Sequence, residues 1–359
     1  MRKIIILGGG RIGRVIALNL SEDHAVCLAD LQKPDSLRHD IEFRQLDVTD
    51  KAALQNAVAG YDLVVGALPS VLGFKVLKAV LETGQSIVDI SFFTEDPLQL
   101  DNLAKKHNAT AIVDMGLAPG LTNLFAGHFV STYDQVDELI CMVGGLPVER
   151  LLPFQYKAPF APTDVIEEYI RPARMRRNGQ DLVLPALTEI ETMQVPGIGD
   201  LEAFNTDGLR TLLNTVDIPT MAEKTIRYPG HAQFISQLKT AGFFDDAHRD
   251  HTAQVLQQQW QFNPGEEDLT VLEIRVKGIC QGQQSSEVYR MVDYYDRKNH
   301  ISSMARTTGY TCAAAARLLL NKSLGQGVLA PEHLGQGSQY FEYLLVDLAQ
   351  RNIKIKTYR

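Results

Sequence analysis

Cysteine is scarce in this chain, with four in 359 residues: Cys27, Cys141, Cys280 and Cys312. None forms a CxxC pair, so the familiar zinc spacings are excluded and a disulfide framework is not indicated. Basic charge is also short. Lysine and arginine number 35 against 43 aspartates and glutamates, for a net charge of -8. A nucleic-acid partner needs a basic face for its phosphates, and this balance argues against one. Long apolar runs are missing too, and no stretch approaches the length that spans a bilayer. The first 20 residues have a superficial likeness to a secretory leader. However, glycines and arginines break the apolar run, and no small-residue cleavage site follows. The expectation is a cytoplasmic protein with no nucleic-acid partner, no membrane and no metal. Internal repeats and low-complexity tracts are absent as well.

What is present is ordinary globular chemistry. A hydrophobic content of 45% with 22% charged residues is enough to build packed cores. A chain of this length predicts about two of them. The first is announced by Lys3-Ile4-Ile5-Ile6-Leu7, which runs into Gly8-Gly9-Gly10-Arg11-Ile12-Gly13 and then an amphipathic helical pattern to Leu20. Gly8, Gly10 and Gly13 have the GxGxxG spacing of a dinucleotide fingerprint. The first glycine permits the tight turn, the second lets a pyrophosphate approach the backbone, and the third lets the helix pack closely on the sheet. The N–H groups at the helix start, from Arg11, Ile12 and Gly13, then face the pyrophosphate with the positive end of the dipole. Asp30 closes the next apolar run, where a carboxylate accepts ribose hydroxyls and repels a 2′-phosphate. This favours NAD, with NADP left open by Lys33 nearby.

Residues 1–115 continue to alternate strand and helix signals, which implies a parallel sheet covered on both faces. Ligands bind beyond the C-terminal strand ends of such sheets. Asp47 and Val48 are expected at the adenine side, and Ala67, Leu68, Pro69 and Ser91 at the nicotinamide side. An ordinary turn or helix cap is the alternative for each. After residue 116 the pattern changes. Strands are expected at 136–143, 272–277, 287–295 and 301–304, with irregular chain over 148–265 that includes helical pieces at 163–169 and 232–240. Thr307-Thr308 is expected to cap a buried helix over 313–320. The predicted fold class is therefore α/β: an N-terminal Rossmann doubly wound parallel sheet over 1–120, then an α+β substrate and dimerisation domain with a mostly antiparallel sheet over 121–304. The segment 305–359 is expected to pack back on the first domain. The open antiparallel sheet suggests a homodimer or higher homo-oligomer.

A nicotinamide cofactor implies hydride transfer, which needs a group to fix the substrate and one to manage a proton. Arg171, Arg210 and Arg227 are candidates for a substrate carboxylate, because arginine binds carboxylates bidentately. A salt bridge is the alternative for each. His231 and Lys157 are the candidates for proton traffic, with Tyr156 as a supporting donor.

Several blocks resemble the saccharopine dehydrogenase superfamily, and within it the L-lysine 6-dehydrogenase branch. They include Gly116-Leu117-Ala118-Pro119-Gly120, Gly144-Gly145-Leu146-Pro147, Glu167-Glu168-Tyr169-Ile170-Arg171-Pro172-Ala173-Arg174, Asp207-Gly208-Leu209-Arg210 and Arg227-Tyr228-Pro229-Gly230-His231. Glutamate-forming saccharopine dehydrogenases look similar but carry Asp where this chain has Ala118 and Cys where it has Val143. The resemblance implies NAD-dependent oxidative deamination of the ε-amine of L-lysine, giving 2-aminoadipate 6-semialdehyde, which cyclises to piperideine-6-carboxylate, with ammonia and NADH. The ammonium must lose a proton first, since its reference pKa is about 10.4. Glu168 and Asp207 are candidates to recognise it. The alternatives are an opine-type reductase acting on saccharopine or carboxynorspermidine, and a non-catalytic dinucleotide sensor.

Overall fold

A computed structural model describes every residue except 36, 159–161, 264 and 359, and every side chain except those and 162–164. The chain divides into two compact units, Met1–Ser131 with Ala305–Asn352, and Thr132–Met304 with Ile353–Arg359. The first run comprises β1 (Lys3–Leu7), α1 (Arg11–Leu20), β2 (Ala25–Asp30), β3 (Glu42–Gln45), α2 (Lys51–Val58) and β4 (Leu63–Gly66). It continues with α3 (Ser70–Leu81), β5 (Ile87–Asp89), α4 (Asp101–Lys106), β6 (Thr110–Ile112) and α5 (Leu121–Thr132). The second unit holds β7 (Gln135–Pro147), α6 (Pro162–Ile170), β8 (Ala173–Arg177), β9 (Gln180–Leu184), β10 (Glu191–Val195) and β11 (Gly199–Thr206). After these come α7 (Leu212–Thr215), β12 (Thr220–Arg227), α8 (His231–Thr240), α9 (Arg249–Gln259), β13 (Asp268–Cys280) and β14 (Gln283–Tyr294). The chain closes with α10 (Ser303–Asn321), β15 (Gly327–Leu329), α11 (Pro331–Gln336), α12 (Ser338–Gln350) and β16 (Lys356–Tyr358).

The first sheet has the order β15-β6-β5-β4-β1-β2-β3 and is parallel at every pairing. Its central strands read as unbroken apolar runs because both faces are covered, and Ile4 to Leu7 and Leu63 to Val65 are fully buried. The strand order reverses between β1 and β4, which is where such sheets open a ligand crevice. This is the doubly wound sheet that the strand–helix alternation predicts.

The second sheet runs β10-β11-β12-β7-β13-β14-β16, with β8 and β9 attached through β12. Its pairings are antiparallel apart from the parallel pair β7–β12. Glu223, Thr225 and Arg227 of β12 point to one face. Thr206 of β11 and Cys141 and Val143 of β7 are their neighbours in register. Helices α6, α8 and α9 pack over this side through a core that includes Val165, Tyr169, Phe204, Ile235, Leu256 and Trp260. The other face carries a separate apolar cluster of Met142, Leu146, Leu201, Ile226, Leu269 and Val271.

Four expectations are corrected. Residues 148–265 hold more than irregular chain with helical pieces at 163–169 and 232–240: besides those two, α6 and α8, they form β8 to β12, α7 and α9. Residues 301–304 are not a strand, because Asp268 accepts hydrogen bonds from the N–H groups of Ser303 (2.7 Å) and Met304 (3.0 Å) and so starts α10 there. Thr307 and Thr308 accordingly lie inside that helix rather than capping it. Finally, the first unit extends to Ser131 rather than 120, and residues from Ile353 belong to the second unit, where β16 pairs with β14. No helix among the described residues is long and apolar enough to cross a membrane.

Candidate functional site

The first unit gathers the cofactor candidates at the C-terminal ends of β1, β2, β4 and β5. Gly8 has φ +108°, and a Cβ there would lie 2.3 Å from the Ala67 carbonyl oxygen. A Cβ on Gly13 would lie 1.9 Å from the Gly8 carbonyl oxygen. Glycine is therefore a steric requirement at both positions. Gly10 differs, since nothing lies within 4 Å of where its Cβ would project. It occupies the N-cap position of α1, and no side chain among the described residues caps that helix. A helix N-terminus opening onto unfilled space fits a pyrophosphate. Arg11 and Ile12 form the first turn there. Asp30 ends β2, and its Oδ2 accepts the Gly9 N–H at 2.5 Å.

At β4 and β5 the chain is pinned. Ala67 N–H donates to the Leu7 carbonyl (2.9 Å), and Leu68 N–H donates to Ser91 Oγ (3.3 Å). Ser91 is held in turn by Asp89, whose carboxylate accepts its N–H (2.7 Å) and its hydroxyl (3.2 Å). Pro69 sits at the N-cap position of α3. Asp47 holds a turn, accepting from the Thr49 hydroxyl (2.6 Å) and N–H (2.9 Å). Those two bonds keep its carboxyl below the usual range. Val48 packs on the core of this unit.

In the second unit the structure brings Tyr156, Glu168, Arg227 and His231 together, with Tyr169 between them. Arg227 is 2% exposed at the end of β12. Its Nε donates to the Tyr169 hydroxyl (3.2 Å), its Nη1 to the Ile226 carbonyl (2.9 Å), and its Nη2 to Glu168 (2.9 Å) and the Tyr156 hydroxyl (3.4 Å). The guanidinium also lies over the Tyr156 ring, 4.4 Å from its centre. His231 Nδ1 is 3.1 Å from the Phe154 carbonyl, which only accepts, so the imidazole proton sits on Nδ1. Nε2 then accepts from the Tyr169 hydroxyl at 2.9 Å. Burial, with the Arg227 charge second, lowers the His231 pKa to about 3. A neutral imidazole with its lone pair engaged positions Tyr169 and is not set up to take a proton from substrate.

The remaining candidates lie outside that hydrogen-bond group. Lys157 forms an ion pair with Glu266. Asp207 takes a bidentate bond from Arg174, at 2.9 and 3.0 Å. Arg171 has a loose pair with Glu167 at 3.8 Å. Arg210 is buried with φ +53°, a left-handed conformation uncommon for arginine. No group of three or more His, Cys, Asp or Glu among the described residues could hold a metal ion.

Sequence reasoning missed Tyr169 as a functional candidate, and it missed Glu202 and Glu223 altogether. Glu202 lies opposite Arg227 in the β11–β12 register and accepts from the N–H groups of Gly230 (2.9 Å) and Ala232 (2.6 Å), fixing the start of α8. Glu223 lies opposite Thr206, whose hydroxyl donates to it at 2.8 Å. Burial raises the Glu223 pKa to about 8, the Thr206 bond opposes this, and the Glu168 and Asp207 charges add to it.

Family models match in two parts. The saccharopine dehydrogenase NADP binding domain covers residues 4–112, and the saccharopine dehydrogenase C-terminal domain covers residues 116–353. The α-aminoadipic semialdehyde synthase of Mus musculus is 25% identical over 68% of this chain, which spans 28% of that protein. The L-glutamate-forming, NADP(+) saccharopine dehydrogenase of Schizosaccharomyces pombe is 24% identical over 70% of this chain and 60% of its own length. Apo saccharopine dehydrogenase (L-Glu forming) from Saccharomyces cerevisiae has the same fold, with a TM-score of 0.81 over 100% of both chains at 18% identity.

Proposed function

This chain belongs to the saccharopine dehydrogenase family, and from that premise we propose that it oxidises the ε-amine of L-lysine with NAD. The family is one of oxidoreductases that use a nicotinamide dinucleotide and act on CH–NH donors. The observation that carries the finer reading is how two arginines of the second unit, the buried Arg227 and the exposed Arg174, are used. Glu168 engages Arg227 and Asp207 engages Arg174, so both guanidinium groups are already neutralised. A buried Glu223 stands beside them. Such surroundings suit a substrate that ends in a cation better than one with a second carboxylated arm. Val143, with no polar group, occupies the face where the resemblance puts Cys in glutamate-forming enzymes.

The bound nicotinamide supplies the hydride acceptor. The chain supplies the rest. Gly8, Gly10, Gly13 and the start of α1 would hold the pyrophosphate, and Asp30 the adenosine ribose. The family description names NADP. The Asp30 carboxylate against the glycine loop supports NAD, because it opposes a 2′-phosphate. Arg171 or Arg210 takes the substrate carboxylate, since Arg227 has four donor contacts within the protein. Tyr156, Tyr169 and His231 keep Arg227 and Glu168 in place.

An amine and amino-acid panel assayed with NAD and NADP in parallel tests the reading. NADH formation from L-lysine is the expected result. Reductant consumption with 2-aminoadipate 6-semialdehyde plus glutamate, and no turnover of lysine across a broad pH range, would overturn it. We also propose a homodimer through the second sheet, and light scattering that shows a monomer at working concentration would count against that.

A further inference from the structure

We propose that Glu223 binds the ε-ammonium of the substrate and accepts its proton, leaving the neutral amine from which hydride departs; this rests on the amine-oxidising reading above. Three carboxylates neighbour one another in the second unit. Asp207 pairs with Arg174 and Glu168 with Arg227, whereas Glu223 forms no ion pair among the described residues and feels the Arg227 charge only at a distance. Its one hydrogen-bond partner among them is the Thr206 hydroxyl, which in turn meets the Thr225 hydroxyl at 2.9 Å. A carboxylate that is 7% exposed ordinarily gathers several donors. With its pKa raised to about 8, the group is a neutral acid near neutrality in the free protein, and the cation of a ligand supplies the charge that lets it ionise.

The surroundings fix where that cation arrives. Gly208 presses on the carboxylate, since a Cβ there would lie 2.4 Å from Oε2, so the group has little freedom to turn. Cys141 faces it from β7, Glu168 from α6, Asp207 from the end of β11 and Arg227 from its own strand. Val143, one step along the same face of β7, is only half-buried. The chemistry follows from burial. Removal from water raises a carboxyl pKa and lowers that of an ammonium, so the two proton affinities converge and transfer between them costs little. An N–H bond breaks and an O–H bond forms on the carboxylate oxygen that Thr206 leaves unengaged. The nitrogen keeps the electron pair, which becomes the second C–N bond as hydride leaves Cε for the nicotinamide. Water then adds to the imine and ammonia departs.

The test measures binding, with NADH held saturating so that no oxidation occurs. Calorimetric titration of L-lysine in buffers of differing ionisation enthalpy counts the protons exchanged. For the unsubstituted protein we expect release of about one proton at pH 6.5, falling toward none by pH 9.5. Glu223→Gln should bind lysine about tenfold or more weakly, with no proton release at any pH. It should bind norleucine, which lacks the amine, as the unsubstituted protein does. Thr206→Val keeps the carboxylate and removes its donor, and should move the proton-release midpoint upward. Equal lysine affinity in Glu223→Gln, no proton release at pH 6.5, or an unmoved midpoint in Thr206→Val overturns the proposal. If lysine is still oxidised by Glu223→Gln at the ordinary rate, this assignment fails and the lysine reading stands. If the unsubstituted protein neither binds nor oxidises lysine, both fall.

Discussion

His231 shares a buried shell with Arg227, and burial first, then the guanidinium charge, holds its imidazole neutral down to about pH 3. The unfolded chain takes up that proton below about 6.5, so stability is fully present above that pH and is lost as pH falls toward 3. The slope is at most about 1.4 kcal/mol per pH unit. Urea midpoints followed from pH 7 to pH 4.5 should therefore fall less in His231→Gln than in the unsubstituted protein; identical slopes would clear this residue of the effect. At the glycine loop, on the proposed NAD reading, Asp30→Ser removes the carboxylate that would oppose a 2′-phosphate. The ratio of kcat/KM for NADP to that for NAD should rise by about tenfold or more, equivalent to roughly 1.4 kcal/mol. The tight turn at Gly8 and Gly13 and the place of Asp30 at the end of β2 were legible because they depend on local spacing. Tyr169 and Glu223 were not, since their partners arrive from α8 and β12 and from β11 respectively. No short-range pattern announces a strand register.

Elements start where a carboxylate collects their unpaired N–H groups, and here two of those carboxylates lie far away in sequence. Glu202 of β11 receives the N–H groups at the start of α8, and Asp268 of β13 receives those of α10. Local reading favoured Thr307-Thr308 as the cap, because adjacent hydroxyls are the usual signal. The distant Asp268 starts the helix earlier. Glu202→Ala leaves two N–H groups without their acceptor and should cost about 1–3 kcal/mol in urea unfolding. It should also loosen α8, seen as faster amide exchange at its first turn. Unchanged exchange there would mean that the helix start is held by something else. The central parallel strands of the first sheet were plain because they are apolar throughout, unlike the edge strand β3. Strands β8 to β10 were hidden by alternating exposure and charged residues, as in the half-exposed runs of β9 and β10.

At the scale of the molecule the first unit is discontinuous, since strands β1 to β6 come before residue 131, whereas the edge strand β15 and helices α10 to α12 come after residue 302. Ala313 to Ala316 and Leu318 of α10 are fully buried, and Gly309 lies close against Val15 and Ile16 of α1. Arg317 fastens this helix, donating to Asp23 (2.6 Å) and to Asn19 through its side chain (2.8 Å) and backbone (2.7 Å). A chain ending at Ser131 should thus expose the apolar side of α1, bind a hydrophobic dye and lack a cooperative thermal transition. A sharp transition would show that the sheet stands without its cover. The return of the chain was legible from the alanine-rich run, whereas the departure of β16 to the second sheet was not, because three exposed residues carry no signal. The discontinuity also sets a clock during synthesis. A ribosome adding 5–20 residues per second needs roughly 10 to 35 s to pass from the end of the first run to the start of α10. For that interval the nucleotide-binding half, although made first, waits without α10 to α12 and the edge strand β15 while the strands of the second unit are completed, so nascent-chain chaperones and proteases meet the older half last finished.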